Sequence, residues 1–224
     1  MVCASFIDGV LALDQEITLF LNGVNCPASD QFWLLFSSKS TWIPTYLICT
    51  FFLFKRLGWK KALMVLVSAG LTFALCDQFA NLIKNSACRL RPSYNYWMIS
   101  NGVNVLEGRG GLFGFFSAHA ANAFAVAVCI TIGFRNDRTH SYNAFCTWSL
   151  IWAFLVAVSR IFVGKHFFLD VAIGTMVGLT VGYFMGMLNR YLIQKYIEKV
   201  KPTGLTFKYH LIPETTTEEA QSPS

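Results

Sequence analysis

The stretch FFLDVAIGTMVGLTVGYFMGMLNRYLI, residues 167–193, carries only two formal charges, Asp170 near its start and Arg190 near its end. A helix needs about 20 consecutive apolar residues to cross the hydrocarbon core of a bilayer. This stretch is long enough, and its glycines (Gly174, Gly178, Gly182, Gly186) recur every fourth residue. At 3.6 residues per turn such a row drifts around the helix as an inclined ridge, and small side chains along it let a second helix approach closely. Segment 167–193 therefore predicts a membrane-spanning helix packed tightly on a neighbour, with its polar end at Asp170.

Four further apolar segments lie upstream, at about Thr41–Phe54, Lys61–Ile83, Ser117–Ile132 and Tyr142–Val163. The first is short and is expected to start earlier, near Asp30. Phe6–Asn22 mixes apolar residues with Asp8, Asp14 and Glu16, which predicts an amphipathic helix lying in the interface. The expected fold is all-α, an integral membrane bundle of five or six transmembrane helices. Residues 1–195 form the membrane domain and 196–224 a polar cytoplasmic tail.

Composition agrees: 54% of the 224 residues are hydrophobic and 13% charged, against about a quarter charged in soluble domains. The net charge of +6 would suggest nucleic acid in a soluble chain, but here the cations fall between apolar runs, and no nucleic-acid partner is expected. Eleven of the 18 cations cluster in the 55–61 and 135–140 turns and from Arg190 onward, which the positive-inside bias assigns to the cytoplasm. The other seven (Lys39, Lys84, Arg89, Arg91, Arg109, Arg160, Lys165) face outward and need another reason to be there. The seven cysteines lack metal-ligand spacing and read as small hydrophobes, with Cys26 and Cys88 on one aqueous side.

Three clusters at helix ends share that outer rim: Lys84 with Arg91-Pro92, Phe116-Ser117-Ala118-His119, and Ser159-Arg160 followed by His166 and Asp170. Guanidinium forks and an ammonium suit phosphate oxygens, and a helix N-terminus at Ser117–His119 offers free N–H groups to an anion. His166 and Asp170, four apart, share a helix face. There the carboxylate can fix the imidazole tautomer while the other ring nitrogen attacks phosphorus, and His119 can protonate the leaving oxygen. Taken singly, each residue reads more simply as an interfacial cap or a snorkelling cation. The three clusters together, in order and at matching helix ends, favour chemistry.

With these residues in place the chain resembles the type-2 phosphatidic acid phosphatase and haloperoxidase superfamily, whose pattern is Lys-x6-Arg-Pro, Pro-Ser-Gly-His and Ser-Arg-x5-His-x3-Asp. The first and third elements match completely. In the second, Phe116 and Ala118 stand where the family has proline and glycine. The resemblance spans about Asp8–Asn189. It implies His166 as nucleophile, Asp170 as its partner and His119 as acid. Lys84, Arg91, Ser117, Ala118 and Arg160 would form the phosphate cradle, with no metal or other cofactor.

The implied reaction is hydrolysis of a lipid phosphate monoester or pyrophosphate through a phosphohistidine. Lipid A and undecaprenyl pyrophosphate are favoured over phosphatidylglycerol phosphate, and the setting is a bacterial inner membrane with the site facing the periplasm. The partners are the lipid substrate and the bilayer, with no obligate protein. A lipid phosphotransferase and a non-catalytic lipid-binding protein are the rival classes. Asp77, inside the second span, reads as a structurally paired acid. The long connection Ser93–Phe116 reads as a loop that covers the site and meets the lipid headgroup.

Overall fold

The computed structural model describes residues 2–199, with side chains from residue 6 onward. Most of the polar tail lies outside the described residues. A π-helical turn at Ile193–Glu198 continues the last helix, so the helical body runs slightly beyond residue 195 into the first tail residues.

Among the described residues seven α-helices follow in order: α1 Val2–Gly23, α2 Pro27–Ser37, α3 Ile43–Ala87, α4 Tyr96–Ser100, α5 Ala118–Phe134, α6 Asn143–Phe162 and α7 Phe168–Leu192. The described residues hold no strand, only an isolated bridge between Leu90 and Phe113. Three stretches are long and apolar enough to cross a membrane, Ser40–Ala87, Asn143–Phe162 and Phe168–Glu198, and Ala118–Phe134 is a shorter apolar helix. The first of these makes two passes. Gly58 breaks α3 with φ 73°, a left-handed value that glycine adopts without steric cost. Tyr46 and Phe73, which a straight helix would hold about 40 Å apart, line the same cavity. The two arms, 43–57 and 59–87, therefore fold back on each other, and the protein is an all-α integral membrane bundle with five passes.

The expectation that the first pass begins near Asp30 is corrected. Asp30 belongs to α2, a separate short helix with Pro27 in its first turn and Cys26 and Ser29 as a reciprocal cap. Ser38 is extended and ends α2, a 3-10 turn follows at Ser40–Trp42, and Pro44 lies in the first turn of α3.

Helix α5 is the axis of the bundle, packed by α3, α6 and α7. The glycine ridge of α7 meets it directly: a Cβ at Gly174 would stand 2.5 Å from the carbonyl oxygen of Ser117, one at Gly182 2.5 Å from that of Ala125, and one at Gly178 would strike the Ala121 backbone. The ridge thus brings the α7 N-terminus, with His166 and Asp170, against the α5 N-terminus, with Ser117 and His119. Of the cysteines with described side chains, Cys76 and Cys129 are buried, and Cys26 and Cys88 are free and exposed.

Helix α1 is amphipathic as expected, but its polar face points the other way from that of a soluble helix. Phe6, Leu13 and Phe20 are exposed, while Asp14, Thr18 and Asn22, four apart, are buried against the protein. A helix between lipid and a polar helix-end layer turns its hydrogen-bonding stripe inward.

Candidate active site

The eight residues singled out in sequence converge. Lys84, Arg91, Ala118, His119, Arg160 and His166 line one cavity of about 480 Å³, with Ser117 and Asp170 directly behind its wall. Lys84 sits in the last turn of α3, which ends at Cys88 in the left-handed region (φ 47°) and turns the chain toward Arg91. Arg91 Nε donates to Phe113 O at 3.1 Å. Its side chain is threaded between Gly110 and Gly114, where any Cβ would come within 2.9 to 3.0 Å of it.

Ser117 caps α5: its hydroxyl accepts from Ala120 N at 3.4 Å, and its own N–H donates to the Asp170 carbonyl at 2.9 Å. Ala118 is the first residue of the helix and has no positive φ, so its side chain is compatible with the backbone where the family pattern has glycine. Phe116, in place of proline, is buried among Cys76, Ala80 and Ala121 and packs on Phe79 at 5.7 Å. It anchors the approach to α5 by packing rather than by a fixed φ.

His166 is buried between α6 and α7, with its Nδ1 3.6 Å from Asp170 Oδ2. That exceeds hydrogen-bonding distance, and Nδ1 has no other partner. Catalytic contacts are often this loose without substrate. Burial holds the His166 imidazole at about 4, well below its ordinary range, against the raising influence of Asp170. The ring is therefore neutral at physiological pH, the form a nucleophile needs.

Asp170 is fixed more firmly than His166. Its Oδ2 accepts from Phe167 N at 3.0 Å and its Oδ1 from Arg89 at 2.6 Å. Arg89, counted in sequence only among the outward cations, also pairs with Asp14 of α1 and lies 4.3 Å over the Phe167 ring. Asp14 in turn accepts from Leu169 N at 2.8 Å, and Thr18 accepts from Phe168 N at 2.9 Å. Asn22 ties the Ile161 and Phe162 carbonyls at 3.0 Å and grips Asn104 through both its N–H and its C=O. The inward stripe of α1 thus satisfies the free N–H groups that begin α7 and the carbonyls that end α6.

Arg160 is 4% exposed. It donates to Ser37 of α2 and lies 3.5 Å from Glu107, which Lys165 also approaches at 3.8 Å. Glu107 and the glycines at 110 and 114 come from the long connection 93–116, which packs on Arg91, Arg160 and Lys165. Ser159, though part of the third cluster, donates to Val156 O at 2.7 Å within its own helix. Asp77 accepts from Asn81 at 3.4 Å, the structural pairing expected, and borders the cavity. Asp14, Arg89, Ser37 and Glu107 escaped the sequence reading. The only signal was the row Asp14-Thr18-Asn22 at helical spacing.

Comparison with known proteins agrees with this geometry. The family model described as the PAP2 superfamily matches residues 61–193. A lipid A 4′-phosphatase of Porphyromonas gingivalis is 35% identical over 84% of this chain and 78% of its own length. One of Bacteroides thetaiotaomicron is 34% identical over 84% and 80%. The crystal structure of a transmembrane PAP2-type phosphatidylglycerolphosphate phosphatase from Bacillus subtilis superposes with a TM-score of 0.63, at 22% identity, over 86% of this chain and 88% of that one. This chain belongs to the PAP2 superfamily and is a membrane lipid phosphatase.

Proposed function

We propose that this protein removes the 4′-phosphate of lipid A at the periplasmic face of a bacterial inner membrane. The observation that carries the reading is the similarity to two lipid A 4′-phosphatases over more than four-fifths of the chain. The cavity supports it, because it joins a cluster of cations at one end to an apolar interior between membrane helices. The lipid keeps its chains in the hydrocarbon while its phosphate reaches Lys84, Arg91 and Arg160, which offset the charge on the equatorial oxygens. The free N–H groups at the start of α5 add further donors.

His166 Nε2 attacks phosphorus and the P–O bond to the sugar breaks. His119 gives its proton to the departing sugar oxygen. Water, deprotonated by His119, then attacks the phosphohistidine, releasing inorganic phosphate and restoring His166. Asp170 steadies the imidazolium-like nitrogen as the N–P bond forms.

The test is incubation of purified protein with doubly phosphorylated lipid A, with mass spectrometry locating the phosphate that is lost. Loss from the 4′ position with stoichiometric phosphate release is expected. Exclusive loss from the other position, or turnover of polyprenyl pyrophosphate alone, overturns the proposal.

A further inference from the structure

Below the phosphate cradle the cavity runs on into the membrane between the two arms of α3, α5 and α6. Its depth follows from the helices: Trp152 lies eight residues from Arg160 on α6, or about 12 Å along the axis. Asn122 lies three residues from His119 on α5, or about 4.5 Å.

Five buried polar side-chain atoms among the described residues lack a hydrogen-bond partner, and four of them belong to residues lining this one cavity: Asn122 Oδ1, Trp152 Nε1, Arg160 Nε and His166 Nδ1. The last two belong to the phosphate site. Asn122 and Trp152 do not. Asn122 is 9% exposed and sits inside a membrane helix. Two other polar side chains bordering the same cavity do have partners, Ser149 with Thr131 and the Cys146 carbonyl, and Asp77 with Asn81. Unpaired buried polar atoms are costly and usually mark a missing partner.

We infer that Asn122 and Trp152 are specificity-determining residues that recognise hydrogen-bonding groups on the lipid's chains, so that the cavity takes acyl lipids rather than isoprenoid ones. This inference rests on the cradle assigned above, which fixes where the phosphate lies. An acyl lipid with amide or ester linkages and chain hydroxyls brings donors and acceptors to both depths. An amide N–H or hydroxyl donates to Asn122 Oδ1, and a carbonyl or hydroxyl oxygen accepts from Trp152 Nε1. A polyprenyl chain is pure hydrocarbon and leaves both side chains unpaired.

A selectivity ratio provides the test. kcat/KM is measured for an amide-linked hydroxyacyl sugar phosphate lipid and for a polyprenyl phosphate, in wild type, Asn122→Leu and Trp152→Phe. Leu matches the branching and heavy-atom count of Asn, and Phe keeps an aromatic ring against Trp42 and Tyr46, which now meet Trp152 edge-on at 5.6 and 6.1 Å. A ratio within one preparation also cancels losses of folded protein. Wild type should prefer the acyl lipid, and each substitution should lower the acyl-to-prenyl ratio by about 5- to 100-fold, as expected for one hydrogen bond to a buried polar group. A wild-type preference for the polyprenyl phosphate, or a ratio unmoved by both substitutions while both lipids are cleaved, overturns this inference and leaves the cradle standing. Turnover of neither lipid overturns both.

Discussion

Arg89→Met is the substitution that most sharply probes how the nucleophile is held. The guanidinium bridges Asp170, whose side chain is fully buried, and Asp14, 1% exposed. Removing it deletes two charge-assisted hydrogen bonds, each typically about 1.5–3 kcal/mol. It also leaves two buried carboxylates facing the same space, and removing one partner of a buried ion pair generally costs about 3–5 kcal/mol. The expected loss is therefore about 3–5 kcal/mol in stability. The rate should fall too, because Asp170 loses the Arg89 contact that fixes one of its oxygens and no longer holds its position beside the imidazole. Adding Asp14→Asn should recover part of both losses, since it removes one of the stranded charges while leaving a carbonyl oxygen for Leu169 N. Thermal unfolding in detergent reads the first effect, and the rate of phosphoenzyme formation reads the second. The coupling between the two substitutions is the decisive quantity. Additive losses, or an Arg89→Met protein with wild-type melting and turnover, would refute the bridge.

The two histidines separate by leaving group. His119→Ala should slow phosphoenzyme formation about 10²–10⁴-fold on a lipid monoester and recover that step substantially on a nitrophenyl ester, while breakdown of the intermediate stays slow on both, and His166→Ala forms no phosphoenzyme from either; equal recovery would mean the roles are wrong. Because burial holds His166 at about 4, it stays neutral as pH falls and becomes protonated only near that value. The acid limb of phosphoenzyme formation, corrected for the substrate's own ionisation near pH 6, should lie near 4, and a limb at 6.5 would contradict the burial argument. Gly178→Ala drives a methyl into the Ala121 backbone and should destabilise by about 1–3 kcal/mol. Gly9→Ala, with open space around it in α1, should be neutral or slightly stabilising. Equal melting temperatures would place the close approach of α5 and α7 in error.

Much of the architecture could be read from the chain because the bilayer imposes it. Apolar length and loop cations located the passes, and the four-residue glycine row correctly announced a tight helix contact, found against α5. The residues proposed for the cradle could be picked out because they lie at helix ends in fixed local spacing, and the fold brings them together at one cavity. Arg89, Asp14, Ser37 and Glu107 were not, since each acts through a partner far away in sequence, Arg89 through residues 75 and 81 positions distant. Asp14 looked like the solvent face of an interfacial helix. Its row was visible, but its direction depended on the α6 and α7 ends that need its hydrogen bonds. The start of the first pass was misplaced because α2 is apolar too, and only the five residues 38–42, with the extended Ser38 and a 3-10 turn, separate the two helices.

The claim on which the whole account turns is that phosphate passes through His166. Purified protein is mixed with lipid carrying labelled phosphate, quenched within the first turnover and digested. The account predicts acid-labile, base-stable label on the peptide containing His166, forming at least as fast as phosphate is released and absent from His166→Ala. Label on another residue, label persisting in His166→Ala, or phosphate release by wild type with no labelled intermediate at any quench time would contradict it.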